Sequence, residues 1–168
     1  MRDTVLLIGA AAAFLFVSSF TDFFVGAALI VAVGFCVWVY LTRVPPKSDN
    51  PKIQRILEKL SKLNSDYGNI PMISGDSAYT ESKRYIVLCL KDPKTGQEYS
   101  DNTLMYVALH ELSHMITPYE YDDRGNSNEH GPQFTKNFNS LLKKAWSAGI
   151  YNPHETLPAE YCGVKNEA

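Results

Sequence analysis

Cysteine is scarce in this chain: Cys36, Cys89 and Cys162 are the three present. No two of them form a C-x-x-C pair, so no zinc-ribbon signature exists. Cys36 lies in an apolar stretch, which leaves at most one possible pair. No disulfide framework is implied, and a reducing compartment fits. A basic excess is also missing. Sixteen Lys and Arg stand against eighteen Asp and Glu, for a formal net charge of −2, so a surface that coats nucleic acid is not indicated. Histidine is rarer than either charge class, with four in the chain: His110, His114, His130 and His154. Acids and bases are nearly absent from residues 5–41, where Asp22 stands alone.

That last absence shapes the N-terminus. Val5 to Phe20 is one apolar run and Phe23 to Leu41 a second, broken at Ser18-Ser19-Phe20-Thr21-Asp22. A membrane-spanning helix needs about 20 residues. The whole stretch is too long for a single straight span, so the sequence predicts an anchor over residues 1–43. It is read as a two-helix hairpin of about 4–20 and 23–41 that turns near Asp22. Arg2 and Arg43 would then share the cytosolic side, as the positive-inside rule asks, with Trp38 and Tyr40 at the interface. This predicts contact with a lipid bilayer through residues 4–41, a membrane localisation and a soluble domain facing the cytosol. A cleaved signal peptide followed by a single anchor is the rival reading. Residues 44–50, stiffened by Pro45-Pro46, read as a linker, and 51–168 as the domain that carries the chemistry.

Within that domain, Pro51 opens a helix with Ile53, Ile56, Leu57, Leu60 and Leu63 on one face. Gly68 is its expected terminator. Tyr85-Ile86-Val87-Leu88-Cys89-Leu90 is the strongest strand, and Ser77-Ala78-Tyr79 is expected to pair with it through a turn at Thr80–Lys83. A helix follows from Asn102 to Ile116, with N-cap oxygens offered by Asp101, Asn102 and Thr103. Thr117-Pro118 stops it. A polar loop covers Tyr119 to Glu129. Gly131-Pro132 then opens a second long helix that carries Phe134, Phe138, Leu141, Leu142 and Ala145 and ends at Gly149. The expected class is α+β, a domain in which a small β-sheet lies against two helices; the histidine motif read below makes the expected fold zincin-like. Its core should include Ile56, Leu60, Ile86, Leu88, Leu104, Leu112, Phe134, Phe138 and Leu142. The tail from Ile150 to Gly163 reads as irregular chain that packs back on the domain.

Two of the four histidines fall in His110-Glu111-Leu112-Ser113-His114. Positions i and i+4 of a helix lie nearly above one another, about 6 Å apart along the axis. Two imidazoles so placed can share one metal ion, and Glu111 can reach a water on that ion without becoming a ligand. This is the H-E-x-x-H arrangement of zinc metallopeptidases. Polar groups of this kind beside an apolar stripe are costly unless they bind something.

A catalytic zinc takes three protein ligands and keeps one position open. The metzincin extension needs glycine at 117 and histidine at 120, and the chain has Thr117 and Glu120 there. Glu120 and Glu129 do not sit on a second helix, as a glutamate ligand would. His130, held at a helix entrance by Pro132, is the better candidate. The segment from about Asn102 to Ala148, with histidine before Gly131-Pro132-Gln133-Phe134, resembles the SprT-like and WLM-type metallopeptidases over about half of the chain. More narrowly, the strand-turn-helix order and the ending from Ala148-Gly149-Ile150-Tyr151 to Tyr161-Cys162-Gly163 are similar to small membrane-anchored metallopeptidase-like proteins of large DNA viruses and some protists. A virus-encoded membrane protein is the source this implies.

The resemblance implies His110, His114 and His130 as Zn2+ ligands and Glu111 as the general base. SprT-like and WLM proteins act on DNA–protein crosslinks. This chain has no zinc-ribbon cysteines and no basic tract, so no nucleic-acid partner is carried over. The expected function is a membrane-anchored zinc endopeptidase acting on a protein or peptide substrate. The alternatives are a non-catalytic zinc-binding structural or binding protein of a membrane or virion, and a non-peptidase zinc hydrolase. Tyr119, Tyr121, Tyr151 and Tyr161 are all open as oxyanion donors. His154, beside Pro153, is read as a surface residue.

Overall fold

A computed structural model describes residues 24–40 and 47–165 of the chain. Its contacts divide the chain into two units, Met1–Arg43 and Val44–Ala168. In the first unit residues 24–40 form a helix, α1. Among the described residues no helix is long and apolar enough to cross a membrane. The expected transmembrane hairpin is therefore overturned as part of the fold, and the membrane localisation with its cytosolic domain falls with it. The first of the two expected spans, about 4–20, lies outside the described residues.

The second unit builds the rest. Asn50 caps helix α2 (Pro51–Ser61) by accepting the Lys52 N–H at 2.9 Å, and the Pro51 ring supplies the first helical φ. The buried face of α2 is Ile53, Ile56 and Leu60. Its basic face is paired in part, Lys52 with Glu98 at 2.9 Å and Lys59 with Asp101 at 3.1 Å. The helix ends well before Gly68, which sits in a short 3-10 turn, Ser65–Asn69. A Cβ at Gly68 would come within 2.7 Å of the Ser61 Cβ, so glycine is needed there for space.

Three strands form the sheet: β1 (Met72–Gly75), β2 (Tyr79–Glu81) and β3 (Tyr85–Cys89), in the order β1-β3-β2. β3 is central. Ile86, Val87, Leu88 and Cys89 are all buried, which explains its unbroken apolar run. β1 runs parallel to it, with Met72 opposite Ile86, and β2 antiparallel, with Tyr79 opposite Val87. The expected hairpin forms two residues later than the sequence suggests. The reversal uses Ser82 and Lys83, both at positive φ (48° and 56°). That conformation matches strand twist but is normally given to glycine or asparagine.

Helix α3 (Asp101–Ile116) packs on β3, α2 and α4 (Pro132–Ser147). Its N-cap is Ser100, whose Oγ accepts the Thr103 N–H at 3.1 Å, rather than any of the three residues expected. Leu104, Met105, Ala108, Leu109 and Leu112 are fully buried and make the core together with β3 and α2. Of the expected core, Phe138 and Leu142 are partly buried and pack against it; the others named are buried. Burying so many large apolar side chains at about 1.5–3 kcal/mol each is what fixes the axis of α3.

The tail packs back as expected, but it is not wholly irregular. Glu160–Tyr161 (β4) and Val164–Lys165 (β5) form a small antiparallel hairpin. Cys162, in its turn, is joined by a disulfide to Cys89 on β3, with the two Cα atoms 6.3 Å apart. The one pair the sequence allows is thus formed. Such a bond persists in oxidising surroundings, against the reducing compartment that the low cysteine count suggests.

Candidate metal centre

α3 presents His110 and His114 on the stripe next to its buried face. Both rings are half-buried and Glu111 between them is buried. His130 enters from the other side, immediately before Gly131 and Pro132 at the start of α4, and is exposed. The three Nε2 atoms converge on one point. They lie 3.1 Å apart for His110 and His114, 3.2 Å for His110 and His130, and 3.1 Å for His114 and His130. An ion about 2.0–2.1 Å from each nitrogen in a tetrahedral arrangement needs nitrogens about 3.3–3.4 Å apart. The observed triangle is within a few tenths of an ångström of that. His110, His114 and His130 therefore lie close enough to bind one metal ion. All three donors are imidazole nitrogens, and the fourth side faces a cleft of about 300 Å³.

The rings are oriented by aromatic packing. Phe134 on α4 touches all three, with ring centroids 5.0 Å from His110, 4.4 Å from His114 and 4.8 Å from His130. Phe138 adds an edge contact to His110 at 5.2 Å. Burial against this wall, with the neighbouring imidazoles second, pushes the His110 pKa down to about 4. Burial likewise brings His114 down to about 4. Both are neutral at pH 7, the form in which imidazole binds a metal.

Glu111 behaves in the opposite sense. Burial pushes its pKa up to about 7, the charge of Glu129 adds to the rise, and a hydrogen bond from Thr80 works against it. The Thr80 hydroxyl lies 2.9 Å from Glu111 Oε2 and 2.7 Å from the Glu111 carbonyl oxygen, so one donor is shared between them. Thr80 sits on β2 at the edge of the sheet. Its place beside Glu111 is a contact from strand to helix that the sequence does not announce.

His130 is held by different means. Gly131 offers no side chain to cap α4, and Glu120 does so from the preceding loop. Its carboxylate accepts the Gln133 N–H at 3.4 Å and the Phe134 N–H at 3.3 Å. The Glu120 carbonyl also accepts the Asn128 N–H at 2.8 Å. A Cβ on residue 131 would lie 2.6 Å from Glu120 Oε2, so the carboxylate can reach the helix only because residue 131 is glycine. Asn137 on α4 donates to the Thr117 Oγ1 at 2.9 Å and ties α4 to the end of α3.

Of the four tyrosines left open as oxyanion donors, Tyr119 lines the cleft. Tyr161 gives its hydroxyl hydrogen to the Cys89 carbonyl, Tyr151 is buried among core residues, and Tyr121 is exposed in the loop. Lys83 also lines the cleft, its ammonium on the Thr117 carbonyl and 4.2 Å from the centre of the Tyr119 ring. Sequence reasoning missed Lys83 because it sits where a turn residue was expected. His154 stands apart and packs edge-on against Trp146 at 5.9 Å.

No family model and no solved structure matches the chain. Three viral proteins do. It is 35% identical over 116 residues to uncharacterized protein R325 of Acanthamoeba polyphaga mimivirus, covering 68% of this chain and 54% of that protein. It is 33% identical over 108 residues to uncharacterized protein 042R of Invertebrate iridescent virus 3, covering 64% and 62%. It is 32% identical over 120 residues to uncharacterized protein 136R of Invertebrate iridescent virus 6, covering 70% and 62%. The chain thus spans between about half and two thirds of the length of these relatives. Their names assign no activity, and no metallopeptidase family is among the matches. What the chain is similar to is a group of uncharacterized proteins from large DNA viruses.

Proposed function

We propose that the domain is a zinc-dependent peptidase whose centre is His110, His114 and His130, with Glu111 as its acid and base. The observation that carries this reading is the triangle of three Nε2 atoms 3.1–3.2 Å apart with a buried carboxylate beside it and a cleft on its open side. Three imidazole donors with no thiolate and no carboxylate donor suit zinc, and three ligands with one open position are the catalytic form of such a site. Zinc, when bound, supplies a Lewis acid that polarises a carbonyl and makes a water at the open position more acidic. Glu111 is matched to the proton chemistry. Thr80 engages Oε2, which leaves Oε1 to take a proton from the attacking water and return it to the departing amine. Tyr119 and Lys83, which line the cleft, would steady negative charge on a substrate oxygen.

The test is zinc content and peptide cleavage by the full chain, wild type against Glu111→Gln, over a mixed peptide library. The variant should keep about one zinc per chain while cleavage falls by about 10²–10⁴-fold, the usual worth of a positioned acid and base. Release of zinc by Glu111→Gln would make Glu111 a ligand. A wild type that holds zinc but cuts nothing in the library would favour a non-catalytic zinc-binding protein.

A further inference from the structure

A second cavity, of about 650 Å³, opens on the other side of the same residues. Ala78, His110, Glu111 and His130 line both spaces, so they form the ridge between them. The two sides differ in chemistry. The smaller cleft carries the polar and charged side chains Thr80, Lys83 and Glu129 on its walls. The larger is walled by Tyr106 and Val107 of α3, Phe134 and Phe138 of α4, and Tyr161 and Val164 of the C-terminal hairpin.

We propose that this cavity binds one large apolar side chain, aromatic by preference, of the peptide held at the metal centre, and that the disulfide-pinned hairpin β4–β5 is its removable wall. The proposal rests on the metal reading above and adds its substrate class: peptides with a bulky apolar residue next to the bond on the metal. The hairpin is too short to hold itself in place, because strands of this length are not stable alone. Its position is set from outside. The disulfide ties Cys162 to Cys89, the Tyr161 hydroxyl donates to the Cys89 carbonyl, and the Cys162 N–H donates to the Tyr99 hydroxyl at 2.9 Å. The Tyr99 and Tyr161 rings lie 4.6 Å apart, and Lys94 pairs with Glu160 at 2.6 Å. The turn places Cys162 and Gly163 at φ of +49° and +83°, the pair of positive angles that a tight hairpin needs. So many ties on so short a segment keep Tyr161 and Val164 against the cavity mouth.

The test uses two probes that chelate a metal through the same group and differ in one ring, acetohydroxamate and 3-phenylpropanohydroxamate. Their affinities for the zinc-loaded full chain are compared by calorimetry. The phenyl probe should bind about ten- to a hundredfold more tightly, which is the worth of burying one large apolar side chain. Val164→Asp places a charge at the exposed mouth without touching the core, and Val107→Phe narrows the cavity from its α3 wall. Either should shrink the ratio to within about threefold. Cys162→Ser should do so as well, with zinc still bound. Equal affinities in the wild type would overturn the pocket and leave the metal reading intact. Failure of both probes to bind a chain that holds zinc would overturn the two together. An undiminished ratio in Cys162→Ser would remove the hairpin from the proposal.

Discussion

The loop from Tyr119 to Glu129 separates two halves of the candidate metal site, and they are built in opposite ways. Before it, His110, Glu111 and His114 ride on a helix whose inner face is fully buried, and their geometry is inherited from the core. After it, His130 is exposed and its position comes from polar ties: Glu120 on the start of α4, Asn137 on Thr117, and a space at Gly131 that no other residue would leave. The same donor atom is thus placed once by hydrophobic packing and once by hydrogen bonds. Packing is cooperative and hard to perturb with one surface change. A few hydrogen bonds at about 0.5–1.5 kcal/mol each are not. The second half should therefore be the one that single substitutions loosen.

Removing a donor is the largest test. His110→Ala, His114→Ala and His130→Ala should each abolish stoichiometric zinc binding, read by metal analysis after desalting. The metal-free proteins should then diverge. His130→Ala, whose ring is exposed and meets Phe134 alone of the two, should cost less than His110→Ala, which loses its contacts with Phe134 and Phe138 from a half-buried position and should cost about 1–2 kcal/mol by denaturant titration. Next in size is the covalent tie of the second half. Cys162→Ser should lower stability by about 2–4 kcal/mol, because the disulfide closes a loop with a sequence separation of 73. Equal stability would mean that the bond does not form in solution.

A smaller effect belongs to Glu120. Glu120→Ala should weaken zinc binding by about 10–100-fold, the range seen when a group that orients a ligand is lost, while His110 and His114 stay in place. Glu120→Gln, which keeps one acceptor oxygen for the helix N-terminus, should recover part of it. A loss of stability in both with unchanged affinity would make Glu120 a helix cap and nothing more. His154→Ala is the zero of the scale. It should alter neither zinc content nor cleavage, since its ring meets Trp146 away from the cleft.

What the sequence revealed follows the same divide. The α3 motif, the Gly131-Pro132 entrance to α4, the helix opened by Pro51 and the buried run at Ile86–Leu88 were all legible, because each is written in local spacing. The parallel pairing of Met72 with Ile86, the Thr80 hydroxyl on Glu111 and the Glu120 cap were not. Each joins residues far apart in the chain and leaves no period behind. The hairpin was misplaced by two residues because its turn uses serine and lysine where glycine or asparagine would have marked it. The N-terminal anchor failed for another reason. Apolar composition suggests two spans, but composition alone does not make a spanning helix, and among the described residues no helix is long and apolar enough to cross a membrane.

The disulfide and the metal site span the same loop. Cys89, His110 and His114 precede it; His130 and Cys162 follow it. The loop itself is exposed, with Arg124 near its tip. A protease that cuts after Arg124 would therefore leave two polypeptides still joined by one covalent bond. On a gel the nicked protein would run as a single band until a reductant was added. The covalent link between the part that carries His110 and His114 and the part that carries His130 would then be Cys89–Cys162 alone.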